Sequence, residues 1–102
     1  MVNEKILNDV KVFIEQIKSE INIQSVYLFG SYAKATNEAF SDIDVAIISD
    51  SFEGFLFSDT EKILSKTKNI NRMIEAHPFR KEDFTEDNPL VKEIIRSGIK
   101  IY

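Results

Sequence analysis

A chain of 102 residues with a formal net charge of −4 at pH 7 has the length and polarity of one globular domain. Its 43% hydrophobic and 29% charged residues exclude a disordered chain, and the acidic balance argues against a surface built for sequence-independent nucleic-acid binding. The absence of cysteine excludes disulfides and thiolate metal sites, and no apolar run approaches the ~20 residues that span a bilayer. We therefore expect a soluble, cytoplasmic, single domain over residues 1–102.

The chain begins with a predicted helix and a predicted strand. Apolar residues recur at spacings of three and four over residues 3–20, which predicts an amphipathic helix. Residues 25–29 form a β-branched and aromatic run that is typical of a buried strand, and Gly30 ends it. A short helix is expected over residues 31–35.

The middle of the chain predicts a second strand and a second helix. Residues 42–49 form the strand, and its apolar part, 45–48, is expected to be covered on both faces of a sheet. A helix capped by Ser58 or Asp59 is expected to end near residue 68. Its expected inward residues are Ile63 and Leu64.

The last third of the chain predicts a strand, a helix and a final strand. Residues 71–76 form the third strand, which the pair His77-Pro78 is expected to end. The pair Asn88-Pro89 predicts a helix start, because Asn caps free amides and Pro suits the first helical position. The expected buried residues of this helix are Leu90, Val91, Ile94 and Ile95, and the final turn and strand are expected at Gly98 and residues 99–102.

The order of these elements is helix, strand, strand, helix, strand, helix, strand. Such an order predicts an α/β or α+β domain in which helices flank a small β-sheet. The strand order within the sheet does not follow from this pattern.

Two aspartates stand at the start of the second predicted strand. Side chains at Asp42 and Asp44 are two positions apart, so a strand would place them on one face, ~6.5–7 Å apart along it. Two carboxylates on one face repel each other unless a cation lies between them, and Mg²⁺ takes oxygen ligands. Taken alone, the pair is also explained by a turn and a cap.

A glycine and a serine follow the first predicted strand. Gly30 lets the backbone approach a ligand closely, and a helix that starts there would present free amides and the Ser31 hydroxyl to a phosphate. A simple strand-to-helix turn explains the dipeptide equally well. Lys34 either neutralises phosphate or remains a solvated lysine.

The two motifs are more specific together than apart. Gly30-Ser31, then ten residues, then Asp42-x-Asp44 and an apolar run resembles the signature of the DNA polymerase β-like nucleotidyltransferase superfamily, above all its minimal nucleotidyltransferase (MNT) branch. Members of that family usually have Gly at the position of Ala35, and often Arg at the position of the preceding lysine. The resemblance implies the nucleotidyltransferase fold, a small mixed β-sheet flanked by helices.

The family places a third carboxylate on a neighbouring strand. Glu75 is the candidate here, because strand alternation puts Asn71, Met73 and Glu75 on one face. An acid at position 71 would have been an alternative ligand, and Asn is a poor substitute for one. The tail of the family also resembles residues 88–102.

The resemblance implies transfer of a nucleoside monophosphate, first of all AMP from ATP, to an acceptor hydroxyl, with release of pyrophosphate. In that reaction two Mg²⁺ ions ~3.5–4 Å apart act on the α-phosphate. The implied metal ligands and catalytic residues are Asp42, Asp44 and Glu75, and the implied nucleotide-binding residues are Gly30, Ser31 and Lys34.

The chain is too short to include the additional substrate-binding domain of larger relatives. The resemblance therefore implies that a separate protein supplies the acceptor, such as a HEPN-domain toxin modified on a tyrosine, for which this chain is the antitoxin. The alternative is a catalytically inactive nucleotidyltransferase-fold module that neutralises its partner by contact. A homo-oligomer is also compatible with the sequence.

Three other groups of side chains have a structural and a functional interpretation. His77, the only histidine, is assigned to a turn in preference to catalysis. A basic group either is solvated or binds phosphate or an acidic partner, and an aromatic group either packs as core or lid or binds a partner. The basic residues are Arg72, Arg80 and Lys81, and the aromatic residues are Phe52, Phe55 and Phe57.

Overall fold

The computed structural model describes residues 3–39, 41–65 and 70–102. The helices are α1 (Glu4–Ile17), α2 (Leu56–Leu64) and α3 (Pro89–Ser97), and the strands are β1 (Ile23–Phe29), β2 (Ile43–Ser49), β3 (Ile74–Phe79) and β4 (Ile99–Lys100). The strands form one sheet in the order β3-β2-β1-β4. β1 is antiparallel to β2 and β4, whereas β2 and β3 are parallel, so the predicted small mixed sheet flanked by helices is confirmed. In the described part of the chain, no helix is long and apolar enough to cross a bilayer.

Apolar side chains cover both faces of the sheet. On one face, alternate residues of β1 and β2 pack with α1 in the larger core cluster. On the other face, Phe29, Ala46 and Ile48 pack against Ile94 of α3. β2 is therefore buried on both faces, as predicted from its apolar run. Because residues two apart share a face, Asp44 lies on the α3 side, in line with Ala46 and Ile48.

The N-terminal helix is confirmed, with a shorter C-terminal end. The side chain of Asn3 accepts a hydrogen bond from the Lys5 amide and caps α1, which ends at Ile17, whereas the prediction extended to residue 20. Its apolar stripe is buried against the sheet at Val10, Phe13, Ile14 and Ile17.

α2 starts earlier than predicted and is not capped by Ser58 or Asp59. The helix begins at Leu56, so Asp59 lies inside it, where its side chain is buried. The Asp59 carboxylate accepts hydrogen bonds from the amides of Glu53 and Gly54, at 3.0 and 2.8 Å. This residue therefore fixes the loop that precedes the helix.

The inward faces of α2 and α3 are narrower than predicted. Ile63, Val91 and Ile94 are fully buried, as expected. Three other predicted core residues are wrong, since Leu64, Leu90 and Ile95 are 58%, 38% and 42% exposed. Short helices lying on a sheet bury a single stripe, and neighbouring positions point about 100° away from it. The Asn88 cap is confirmed, and the predicted end of the second helix near residue 68 lies outside the described residues.

β3 runs through the His-Pro pair that was predicted to end it. The strand occupies Ile74–Phe79 instead of residues 71–76, and it is the edge strand of the sheet. The Ile43 amide donates to the Met73 carbonyl at 2.8 Å. By alternation, Pro78 then faces the open edge, where its missing amide removes no ladder hydrogen bond.

Candidate active site

Two carboxylates from adjacent strands meet on the α3 side of the sheet. Asp44 of β2 and Glu75 of β3 are register partners in the parallel pair. Together with His77 they offer three potential metal-ligand atoms that all lie within 4.8 Å of one another. Carboxylate oxygens and an imidazole nitrogen are common ligands of divalent ions, so the donor set fits a metal site.

His77 follows Glu75 on the same face of β3. Its Nε2 atom lies 3.1 Å from Asp44 Oδ1, and its ring stands edge-on to Phe29 with the ring centroids 5.0 Å apart. The predicted turn at this histidine is wrong, because β3 continues to Phe79. Strand alternation could have identified His77, because the residue two positions after Glu75 lies on the same face of a continuing strand.

Asp42 lies outside this group of three. β2 begins at Ile43, so Asp42 precedes the strand and is exposed, whereas Asp44 is partly buried. β2 therefore starts one residue later than predicted, and strand alternation does not extend to Asp42. A role for Asp42 as a metal ligand stays a prediction.

Asn71 is engaged elsewhere. Its side-chain amide donates to Asp9 Oδ2 on α1 at 2.9 Å, and its Oδ1 accepts from the Met73 amide at 2.9 Å. The hydrogen bond from Asn71, followed by that from Lys5, lowers the pKa of Asp9 below its ordinary value. The side chain thus ties the start of β3 to α1.

Gly30 packs directly against the Asp44 carboxylate. Its φ is +75°, in the left-handed region that favours glycine. A Cβ atom at this position would lie 2.5 Å from Asp44 Oδ2, which is too close for any side chain. Both the backbone angle and the space therefore require glycine, and the turn after β1 adjoins the carboxylate pair.

The segment that follows Gly30 is a turn, and the short helix predicted over residues 31–35 is wrong. The Thr36 amide donates to the Ser31 carbonyl at 2.9 Å, and the Ala35 amide to the Tyr32 carbonyl at 3.4 Å. This pair of bonds is the Schellman arrangement that ends a helix, with Ala35 in the left-handed conformation at φ +58°. The backbone therefore makes a single helical turn that ends at Ala35.

The turn after β1 presents several hydrogen-bond donors. The backbone amides of Ser31, Tyr32 and Ala33 meet no acceptor among the described residues. Lys34 is exposed and pairs with Glu93 of α3, with Nζ 2.8 Å from Oε1. Successive free amides after a glycine are suited to bind an anion.

The basic residues do not form one free patch. The Arg80 guanidinium donates to Asp83 at 2.6 and 2.9 Å, which raises the pKa of Arg80 and lowers that of Asp83. Arg72 and Lys81 are exposed on either side of β3 in the sequence. The solvated interpretation fits Arg72 and Lys81, whereas Arg80 is held in an ion pair within the chain.

The aromatic residues before and within α2 divide into two kinds. Phe52 is 5% exposed and belongs to the core, as the packing interpretation predicted. Phe55 and Phe57 are 69% and 92% exposed, so that interpretation is wrong for them. Leu56 and Leu64 are also exposed, at 70% and 58%, so residues 55–64 carry four exposed apolar side chains, which together are named the apolar patch on α2.

The sequence profile of the family described as polymerase beta nucleotidyltransferase matches residues 11–102. No curated protein matches the chain significantly. A candidate nucleotidyltransferase from Sulfolobus solfataricus shares the fold with a TM-score of 0.69 and 18% identity, over 93% of this chain and 78% of that one.

Two further solved structures share the fold. One is a toxin–antitoxin with AMP-PNP, with a TM-score of 0.60 and 18% identity, over 94% of this chain and 72% of that one. The other is a mutant of the toxin–antitoxin MntA–HpeT, with a TM-score of 0.58 and 17% identity, over 94% and 72%. The profile match includes both the glycine turn and the two carboxylate strands, and it confirms the resemblance found in the sequence. This chain belongs to the polymerase β nucleotidyltransferase family.

Proposed function

We propose that this chain is a metal-dependent nucleotidyltransferase that moves a nucleoside monophosphate, AMP from ATP, to a hydroxyl of a partner protein. The observation that carries the proposal is the pairing of Asp44 with Glu75 across two strands, with Gly30 packed against the same carboxylate. Family membership gives the reaction class. A domain that acts only by binding a partner has no need to hold two carboxylates side by side, because their mutual repulsion is destabilising.

The carboxylates would hold the metal ions of the reaction. Asp44 and Glu75 face one another and would hold the catalytic ion, while Asp42, exposed just before β2, would help to hold the ion that accompanies the triphosphate. When bound, two divalent ions would supply positive charge to the α-phosphate and to the leaving pyrophosphate. Glu75 is exposed and can also accept a proton from an approaching hydroxyl.

The turn after β1 would bind the triphosphate. Its amides from Ser31 to Ala33 have no acceptor among the described residues, and the Ser31 hydroxyl adds a donor. Lys34 can leave Glu93 for a phosphate at small cost, because an exposed ion pair contributes only about 0–1 kcal/mol. The same lysine would then neutralise phosphate charge.

The apolar patch on α2 would hold the partner that carries the acceptor. A groove of about 470 Å³ runs between α2 and β3, and Leu56 and Leu64 line it together with Glu75 and His77. A hydroxyl presented from this groove would therefore lie beside Glu75. Contiguous exposed apolar surface on a small domain commonly marks a protein-binding site. Two structural neighbours are toxin–antitoxin proteins, which supports an antitoxin role. The partner implied by the family resemblance is a HEPN-type toxin that is modified on a tyrosine.

The test is transfer of label from α-labelled ATP to the partner in the presence of a divalent metal. Wild type and the control Asp87→Asn, an exposed acid outside the site, should label the partner equally. Asp44→Asn should not label it, and Phe57→Ser should bind ATP normally yet label the partner poorly. Partner binding without any labelling by wild type would favour the contact-only module instead. Labelling that survives Asp44→Asn would exclude the metal mechanism.

A further inference from the structure

The imidazole of His77 lies beside the Asp44–Glu75 carboxylate pair. His77 lies within the same 4.8 Å group as Asp44 and Glu75, and its side chain is 28% exposed. The ring is held from two sides, by Asp44 Oδ1 at 3.1 Å from Nε2 and by the edge-on ring of Phe29. A partly buried ring held in this way keeps a nitrogen aimed at the carboxylates.

An imidazole changes which ions such a site prefers. Mg²⁺ takes oxygen ligands and gives up its water reluctantly, so a set of carboxylates and water suits it. Imidazole nitrogen binds first-row transition ions more strongly, and their affinity rises from Mn²⁺ towards Co²⁺ and beyond. Two carboxylates and one imidazole therefore favour a transition ion relative to a site made of oxygen alone.

We propose that Asp44, Glu75 and His77 form a mixed carboxylate–imidazole metal site that selects a first-row transition ion over Mg²⁺. Mg²⁺ would still accompany the triphosphate, where phosphate oxygens are the ligands. This inference rests on the proposed function for the identity of the site, and it adds His77 as a ligand that sets metal preference.

The first test is metal binding by the protein without nucleotide. Mn²⁺ binding is followed by the electron paramagnetic resonance of the free ion, and Mg²⁺ binding by competition. His77→Gln should weaken Mn²⁺ binding by at least about tenfold, the smaller loss typical of outer-shell changes, and leave Mg²⁺ binding close to that of wild type. Glu82→Gln, an exposed acid outside the group, is the matched control and should change neither affinity. A fall of both affinities together, or no change in either, would overturn the proposal.

A second measurement separates direct ligation from mere orientation of Asp44. The visible absorption spectrum of bound Co²⁺ should differ between wild type and both His77→Gln and His77→Asn, because a nitrogen ligand is replaced. Identical spectra would show that the histidine does not bind the ion. Thermal unfolding of each variant establishes that the comparison is made on folded protein.

The outcome also separates this inference from the proposed function. If His77→Gln keeps the wild-type ratio of Mn²⁺ to Mg²⁺ affinity while Asp44→Asn abolishes metal binding and transfer, the selectivity inference fails and the proposed function stands. If Asp44→Asn changes neither metal binding nor transfer, both fail.

Discussion

Replacing Gly30 with alanine would insert a methyl group between the turn after β1 and the Asp44 carboxylate. At φ +75° an L-residue is strained by about 1–2 kcal/mol. The new Cβ atom would also lie 2.5 Å from Asp44 Oδ2 and 3.4 Å from its Cγ, so the carboxylate has to move. We therefore expect both a loss of stability and a loss of metal binding.

Gly54→Ala provides a matched control for the backbone strain. Gly54 has φ +92°, and a Cβ atom there would lie 2.8 Å from Arg80 Nε, on a flexible side chain that can shift. Both variants should lower the free energy of unfolding by about 1–2 kcal/mol from backbone strain. Only Gly30→Ala should also weaken metal binding, by about tenfold to a hundredfold, because it displaces a proposed ligand.

Urea unfolding followed by circular dichroism measures the loss of stability. Mn²⁺ binding to nucleotide-free protein measures the loss of metal affinity. Equal metal affinity in the two variants would show that the turn after β1 does not control the position of Asp44. Retained stability in both variants would contradict the strain argument itself.

Three further predictions concern residues around the site. Ala35→Gly should raise the free energy of unfolding by about 1 kcal/mol, because φ +58° strains alanine. In the same urea titration, the control Ala33→Gly should lower the free energy of unfolding. Equal effects of the two substitutions would contradict the left-handed conformation of Ala35. Asn71→Ala should raise the pKa of Asp9 towards its ordinary value in an NMR titration. Because the pKa of Asp9 is lower in the folded state, its ionised carboxylate stabilises the fold at pH values above the ordinary carboxyl pKa. The difference in unfolding free energy between Asn71→Ala and wild type should therefore shrink as the pH falls below that pKa. An unchanged pKa of Asp9 in the variant would refute the role of this hydrogen bond. Asp59→Ala leaves two loop amides without their acceptor and should lower the free energy of unfolding by about 2–4 kcal/mol, whereas a change typical of a surface residue would contradict its role.

The features that could be predicted from sequence are those that local chemistry decides. Asn3 and Asn88 cap helices because a short polar side chain reaches the amides two residues on, and this needs no knowledge of the rest of the fold. The apolar run of β2 required cover on both faces, and the structure provides it. The spacing of Gly30 and the two aspartates indicated the family, and the profile match over residues 11–102 confirms it.

The features that could not be predicted depend on strand order. Pro78 is tolerated in β3 only because that strand lies at the edge of the sheet, and no local pattern reveals an edge. His77 was assigned to a turn for the same reason, and with it the third group of the site was missed. The exposure of Leu64 likewise depends on how α2 lies on the sheet, which its own periodicity leaves open.

The left-handed residue at the end of the turn after β1 is a further feature that the sequence did not reveal. The family usually has glycine where this chain has Ala35, and φ +58° gives the physical reason for that preference. The sequence showed the departure but not its conformation, because the turn was predicted as a helix. The turn therefore forms in this chain with a strained alanine at the left-handed position.

The central claim is that Asp44 and Glu75, from two neighbouring strands, form one catalytic site. The most direct test is the intact mass of the partner protein after incubation with ATP, divalent metal and this chain. Wild type and Glu82→Gln should add AMP to the partner, whereas Asp44→Asn and Glu75→Gln should each abolish the adduct. An adduct formed by Glu75→Gln at the wild-type rate would contradict the claim.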